Sequence, residues 1–145
     1  MLSQRTRYAL RSLIMLADKA EDGPQQIGAI AEAQVVPRKF LELILLDLKR
    51  AGLVDSARGR TGGYRLARAP RDISFGEVIR LLEGPLALVP CASATRYAPC
   101  GDCVDEATCA IRRAMLTVRE ETARVLDAFT LEDAVRGEAH AQAIL

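Results

Sequence analysis

All four cysteines of the chain fall within nineteen residues, in a segment that also contains proline and glycine. They are Cys91, Cys100, Cys103 and Cys109, with the spacing C-x8-C-x2-C-x5-C. A metal ion or an iron–sulfur cluster needs thiolates that converge from a backbone able to bend. The pattern therefore predicts a metal-thiolate site in this loop.

The spacing of the cysteines leaves three kinds of occupant open. Structural zinc sites usually use two close C-x2-C pairs, whereas only the inner pair is close here. The wider spread suits an iron–sulfur cluster better, of the 2Fe-2S or the 4Fe-4S type. The third kind is a metal-free thiol sensor that forms a disulfide on oxidation. We favour the cluster, with zinc and bare thiols as alternatives.

The composition is that of a small globular chain. Of its 145 residues 50% are hydrophobic but only 4% are aromatic, so a core of Leu, Ile, Val and Ala is expected, which favours helices. No apolar run approaches the roughly 20 residues of a membrane span, and no signal-peptide pattern is present. We expect a protein of the cytoplasm without a membrane partner. In that compartment, clustered thiols bind metal more often than they form disulfides. No residue pattern indicates an enzyme, and the single histidine, His140, is expected to be exposed rather than a ligand.

The net charge of +1 conceals an asymmetry between the two halves. Residues 1–71 hold 13 Lys and Arg against 7 Asp and Glu, whereas residues 72–145 hold 7 against 12. A basic half beside an acidic half indicates a face for a polyanion such as nucleic acid. The alternatives are a chance grouping of solvated charges and an acidic half that recruits a protein partner.

The first half predicts a winged helix-turn-helix. Apolar spacing predicts helices over residues 4–20 and 25–33 and a third that begins at Pro37 and ends before Gly52. Two short strands follow, joined by the glycine-rich segment 58–63. A generic helical domain with a surface hairpin is the alternative, but nine Lys and Arg between residues 38 and 71 favour DNA binding.

Five side chains are the candidates for contact with double-stranded operator DNA. Arg38, Lys39 and Glu42 lie at the N-terminus of the third helix, the part that meets base edges in a helix-turn-helix. Arg38 can fork to guanine, Lys39 suits a phosphate, and Glu42 accepts from cytosine or is simply a surface charge. Arg58 and Arg60 flank a glycine at the wing tip, which suits the minor groove or nearby phosphates, unless the tip is only a solvated turn.

The second half predicts a short helix, the cysteine loop and a long helix. Ser74 to Glu77 has the form of a capping box, and Thr130 to Asp133 begins a short final helix. The long helix is expected from about Val104 to Phe129, with a heptad seam that a second copy of the chain would cover; packing on the first helix is the alternative. The seam consists of Val104, Thr108, Ile111, Met115, Val118, Thr122, Val125 and Phe129. We expect a mainly α fold with a small β-wing, divided into residues 1–71, 72–103 and 104–145.

One long motif resembles a known family. It comprises Phe40-Leu41-Glu42, Leu48, Ala51-Gly52-Leu53-Val54-Asp55-Ser56-Ala57-Arg58-Gly59 and Gly62-Gly63-Tyr64-Arg65-Leu66. This run, with Arg7-Tyr8-Ala9-Leu10 at the start, is similar to the Rrf2 family of winged-helix bacterial regulators, which includes the IscR, NsrR and RirA types. The resemblance covers about residues 1–130. It implies a homodimer with a long dimerisation helix, an iron–sulfur cluster in the loop before it, and control of genes for cluster assembly, iron, or redox and nitric oxide stress.

The same resemblance bears on the ligands of the cluster. The family usually combines three cysteines with a fourth ligand of another kind. By position, Cys91 and Cys109 look like its outer two cysteines, and either Cys100 or Cys103 is the middle one. Where the IscR type has a histidine this chain has Arg112, and where the NsrR type has an aspartate it has Arg7. A guanidinium stays protonated and has no free lone pair. We therefore predict a cluster site with four cysteine ligands. Loss or oxidation of the cluster would change the spacing of the two DNA-binding domains in the dimer.

Overall fold

The computed structural model describes residues 1–137. Within them the chain forms six α-helices, one two-stranded antiparallel sheet and three short 3-10 turns, so the predicted fold class is confirmed. The helices and strands are α1 (Gln4–Asp18), α2 (Ile27–Gln34), α3 (Arg38–Arg50), β1 (Val54–Ala57), β2 (Gly63–Leu66), α4 (Phe75–Glu83), α5 (Ala110–Ala128) and α6 (Leu131–Arg136). The 3-10 turns are Ala20–Asp22, Pro70–Asp72 and Pro90–Ala92. The tail that contains His140 lies outside the described residues, and the division into three segments stays a prediction.

Helices α1 to α3 form the helix-turn-helix around a compact apolar core. Helix α3 is amphipathic, and the stripe that faces α1 and α2 is fully buried: Leu41, Ile44, Leu45 and Leu48. It begins directly after Pro37 and ends at Arg50. Ala51 is its C-cap, and Gly52 follows with a φ of +76°, as the sequence predicts. The opposite face of α3 is left in solvent, which is what a DNA-reading helix requires.

The β-wing is fastened to the start of α2. Its strands pair from Val54 opposite Leu66 to Ala57 opposite Gly63. Tyr64 also exchanges two backbone hydrogen bonds of 2.8 Å with Gln25, just before α2. An isolated antiparallel bridge therefore joins the outer edge of β2 to the segment between α1 and α2.

The segment after the wing returns the chain to α1. Ser74 caps α4 by accepting from the Glu77 amide at 3.1 Å, but the predicted capping box is incomplete. The reason is that the Glu77 carboxylate binds the Arg68 guanidinium at 2.6 Å instead of reaching back to the cap. At α6 the box from Thr130 to Asp133 is complete.

Helix α5 begins later than the sequence predicts. It starts at Ala110 rather than near Val104, because the preceding segment turns. The Asp105 carboxylate accepts from the Ala107 amide at 3.1 Å and from the Thr108 hydroxyl at 2.6 Å, which stabilises a turn in place of a first helical turn. Val104 and Thr108 therefore lie outside the helix, and the seam within it begins at Ile111.

Helix α5 lies on the outside of the molecule. None of its nineteen residues, all of which the structure describes, is buried. It packs on α4 and on the 3-10 turn at Pro90–Ala92, with Phe129 edge-on to Phe75 at 4.8 Å. In the described part of the chain, no helix is both long enough and apolar enough to cross a membrane.

Candidate metal centre and nucleic-acid interface

All four cysteines line one cavity of about 500 Å³ at the N-terminal end of α5. The cavity is bounded by the loop on one side and by the first turn of α5 on the other. Its remaining walls are Val89, Asp102, Val104, Asp105, Glu106, Thr108, Ile111 and Arg112. The spacing in the sequence therefore corresponds to a shared space in the fold.

Cys91 and Cys100 form the closest pair of thiols in this cavity. Their Sγ atoms are 3.6 Å apart, and Cys91 is only 6% exposed. Two thiolates bound at about 2.3 Å to one tetrahedral metal would lie about 3.8 Å apart. The pair is therefore placed for two positions of a single metal, without a change in the backbone.

Cys103 and Cys109 stand apart from this pair. Cys103 is exposed in the loop, whereas Cys109 is the N-cap of α5 and its sulfur accepts from the Arg112 amide at 3.4 Å. Within residues 1–137, no group of three or more His, Cys, Asp or Glu converges closely enough to hold one metal ion. Thiolates are the donors that both zinc and an iron–sulfur cluster accept, so the four cysteines fit the ligand chemistry of either group.

The surroundings of the cavity raise the pKa of two of its thiols. Burial raises the pKa of Cys91, and its hydrogen bond with Cys100 and the nearby negative charge of Glu106 act in the same direction. Desolvation likewise raises the pKa of Cys103, and Glu106 adds to it. A bound metal would have to displace these protons, so metal binding at this site depends on pH.

A polar network that the sequence did not reveal braces the cavity. The Tyr97 hydroxyl lies 2.7 and 2.8 Å from the two carboxylate oxygens of Glu106, and Arg112 pairs with Glu106 at 3.1 Å. Arg112 also donates to the Cys91 carbonyl at 3.3 Å, and Arg119 donates to the Ala92 carbonyl at 2.8 Å. The only sequence signal was an arginine one helical turn after Cys109. Its role here is to connect α5 to the backbone that carries Cys91.

The three residues of α3 that are predicted to read DNA lie at the start of the helix in solvent. Arg38, Lys39 and Glu42 are all exposed at the start of α3, and Arg38 pairs with Glu42 at 3.5 Å. Because both partners are largely in solvent, this ion pair is weak and can open for a base or a phosphate. Leu43, which the sequence analysis missed, is 61% exposed on the same face; its spacing from Lys39 was the available signal. An apolar side chain there can contact a thymine methyl.

The wing presents its two arginines to solvent beside this face. Arg58 and Arg60 are both exposed, and Gly59 between them has a φ of +98°, which a side chain would strain. Lys49 near the end of α3 donates to the Ser56 hydroxyl at 2.6 Å, which ties the reader helix to β1. The structure therefore brings all five predicted DNA-contact residues onto two connected exposed elements.

The comparisons with known proteins agree with this architecture. A family model described as "Rrf2: Iron-dependent Transcriptional regulator" matches residues 2–137. An rrf2-like HTH-type transcriptional regulator of Rhodobacter capsulatus is 48% identical over 136 residues, which cover 92% of this chain and 91% of that protein. The HTH-type transcriptional regulator NsrR of Geobacillus kaustophilus is 36% identical over 99% of this chain and 95% of its own.

A solved structure gives the same result at the level of the fold. CymR, the global cysteine regulator of B. subtilis, superposes with a TM-score of 0.78 at 35% identity, over 94% of this chain and 96% of that chain. The likeness therefore extends through the winged helix, the cysteine loop and the long helix. This chain belongs to the Rrf2 family of transcriptional regulators and is not an enzyme.

Proposed function

We propose that this regulator binds its operator as a homodimer and that an iron–sulfur cluster in the cysteine cavity controls the binding. The signal would be iron or cluster status, or redox or nitric oxide stress. The observation that carries the proposal is that four cysteines and the first turn of the long helix line one cavity. The iron-dependent description of the matching family supports it. A regulator of this kind acts on DNA in the cytoplasm.

The ligands of the cluster would be Cys91, Cys100, Cys103 and Cys109, whose positions account for every thiol of the chain. When bound, the cluster supplies a centre whose presence and charge depend on iron and oxidants. The protein's own part is to hold the loop against α5. Arg112 connects the Cys91 carbonyl to the helix, and Cys109 is the residue at which the helix begins.

The cavity and the proposed dimer seam share a side chain. Ile111 lines the cavity and is also the first seam position within α5. Since none of the residues of this fully described helix is buried, a second copy is the simplest cover for Ile111, Met115, Val118 and Val125. A change at Cys109 would therefore reach the seam within one helical turn and alter the spacing of the two reader helices.

The experiment that tests the cluster is chemical analysis of anaerobically purified protein. We expect visible absorption bands with matching iron and sulfide, and loss of iron when any one of the four cysteines is replaced by serine. Val104→Ala is the matched control, because Val104 lines the same cavity without a thiol and its side chain is fully exposed. Full iron retention in one cysteine variant would remove that cysteine from the ligand set. A colourless protein after reconstitution would refute the cluster.

A second candidate function rests on the close pair of sulfurs. The 3.6 Å separation of Cys91 and Cys100 also suits zinc binding or closure of a disulfide, so the cysteines could serve a zinc- or thiol-based regulator. Colourless protein with one bound zinc would favour the first of these. Metal-free protein that loses two thiols on peroxide treatment would favour the second. In either case, operator affinity compared at one fixed salt concentration decides whether the site controls DNA binding.

A further inference from the structure

The side chain of Gln26 spans from the helix-turn-helix to the tip of the wing. Its Nε2 atom lies 3.0 Å from the Gly62 carbonyl, 3.3 Å from the Arg60 carbonyl and 3.4 Å from the Gly59 carbonyl. Among the described residues, no other side chain donates to these three carbonyls. The two ends of the wing-tip turn are thus held by one amide.

Gln26 occupies the N-cap position of α2, where a side chain is expected to accept a hydrogen bond from the first turn of the helix. Ser, Thr, Asp or Asn normally makes this contact. Here the N-cap makes no side-chain cap hydrogen bond. The α2 terminus therefore lacks a stabilising contact that a shorter polar residue would supply, and the Gln26 amide is directed to the wing instead.

The base of the wing is fixed independently of Gln26. A Cβ on Gly63 would come within 2.3 Å of the Gln25 carbonyl oxygen, so only glycine allows the two backbones to approach as they do. A Cβ on Gly62 would lie 2.2 Å from the Ala57 carbonyl oxygen, so only glycine allows this close approach of the two strands at the turn. These contacts position the strands. The segment that carries Arg58 and Arg60 extends beyond the strands. The Gly62 amide closes its turn by donating to the Gly59 carbonyl at 3.1 Å, and the Gln26 side chain joins that turn to the start of α2.

We propose that Gln26 is a positioning residue for DNA recognition. Its amide would donate to the wing-tip carbonyls and fix the height of Arg58 and Arg60 above the reader helix. The inference rests on the proposed binding of DNA by the wing and adds to it the residue that sets the wing's geometry. Without the hydrogen bonds of Gln26 to the wing tip, Arg58 and Arg60 would have to be ordered when DNA binds. The free-energy cost of this ordering would lower the affinity for DNA.

Two substitutions separate positioning from stability. Gln26→Ser removes these hydrogen bonds but supplies a preferred N-cap, so the thermal midpoint should stay level or rise. Gln26→Glu keeps the shape but cannot donate to a carbonyl. Gln25→Ser is the matched control, because within residues 1–137 the neighbouring Gln25 side-chain amide donates to the Gly23 carbonyl, at 3.1 Å, and not to the wing. Its backbone pairing with Tyr64 does not depend on its side chain.

The measurement is fluorescence anisotropy with a duplex that the full-length wild-type protein has selected from a random-sequence pool, at one fixed salt concentration. We expect Gln26→Ser and Gln26→Glu to bind about five- to tenfold more weakly, as the loss of one or two hydrogen bonds implies. Gln25→Ser should bind as the wild type does. In the Arg58→Ala/Arg60→Ala background, the effect of Gln26→Ser should disappear, since there is no arginine left to position.

The outcomes distinguish the inference from the function on which it rests. Wild-type affinity in Gln26→Ser and Gln26→Glu would overturn the positioning role, and so would an equal loss with and without the two wing arginines. If the wild-type protein selects no duplex, the proposed DNA binding fails instead. A lower thermal midpoint in Gln26→Ser with unchanged affinity in Gln26→Glu would show a structural role only, which also overturns the inference.

Discussion

Removing two apolar side chains from α5 should dissociate the proposed dimer. Ile111 is 66% exposed and Val118 41% exposed in the single chain. Full burial of such a side chain contributes roughly 2 kcal/mol, so covering these exposed parts contributes about 2 kcal/mol per chain. Because a two-fold interface contains each residue twice, the double variant Ile111→Ala/Val118→Ala should lose up to about 4 kcal/mol. That corresponds to a dimer dissociation constant raised about 10³-fold.

Sedimentation equilibrium over a range of protein concentrations measures this constant directly. Alanine is the best helix former, so α5 itself should remain folded, and circular dichroism checks that it does. Val135→Ala on α6 is a matched control, since Val135 is 38% exposed but lies outside the seam. A dissociation constant equal to that of the wild type in the double variant, or equally raised in the control, would refute the assignment of the seam.

Three further changes test the fold that carries the site. The pKa of Glu83 is lowered to about 2, first by its hydrogen bond with Ser3, so its stabilisation is complete above pH 4.5 and lost as pH falls towards 2. Urea unfolding should therefore show Glu83→Gln less stable than the wild type at pH 6 but equal to it near pH 2. Gly63→Ala should cost about 1–3 kcal/mol from its φ of +125° alone, and should weaken DNA binding because its Cβ meets the Gln25 carbonyl. Leu131→Ala, at a fully buried position, should cost about 2–5 kcal/mol in urea unfolding; a loss below 1 kcal/mol would contradict the core assignment.

The elements that the sequence predicted well are those with strong local signals. Helix α3 has an apolar stripe of helical period between Pro37 and Gly52, and both ends lie where these residues require. The capping box at Thr130 involves only four consecutive residues, and it is complete. Periodicity and capping act over one or two turns, so they can be read from the sequence without knowledge of the tertiary structure.

The elements that are predicted less well from the sequence depend on side chains that can choose between hydrogen-bond partners. Glu77 fits a capping box by position, but Arg68, nine residues earlier, takes its carboxylate. The apolar spacing predicts a start of α5 near Val104 because the seam residues continue in phase there, whereas Asp105 forms a turn with Ala107 and Thr108. In both cases a competing hydrogen bond determines the local structure. The spacing of apolar residues carries no information about such a bond.

The candidate site shows the same limit. Counting cysteines predicted which residues share a cavity, but not that Cys91 and Cys100 would be the close pair. The inner C-x2-C pair is the closer one in sequence, yet Cys91 is brought to Cys100 by its 3-10 turn, which Arg112 and Arg119 bind through two carbonyls. The spacing in the sequence limits how far apart two cysteines can lie. The contacts of Arg112 and Arg119 with the 3-10 turn determine which two of them are close.

The position of Cys109 gives the proposed control a physical route. It is the N-cap of α5, and its sulfur accepts from the Arg112 amide, so the thiol is part of the helix terminus. A metal bound to this sulfur would therefore also hold the first turn of α5 in place. That turn contains Ile111, the first residue of the seam. In the proposed mechanism, loss of the metal would loosen the same turn that carries the first residue of the proposed dimer seam, so the cluster would act on the dimer through this one turn of α5.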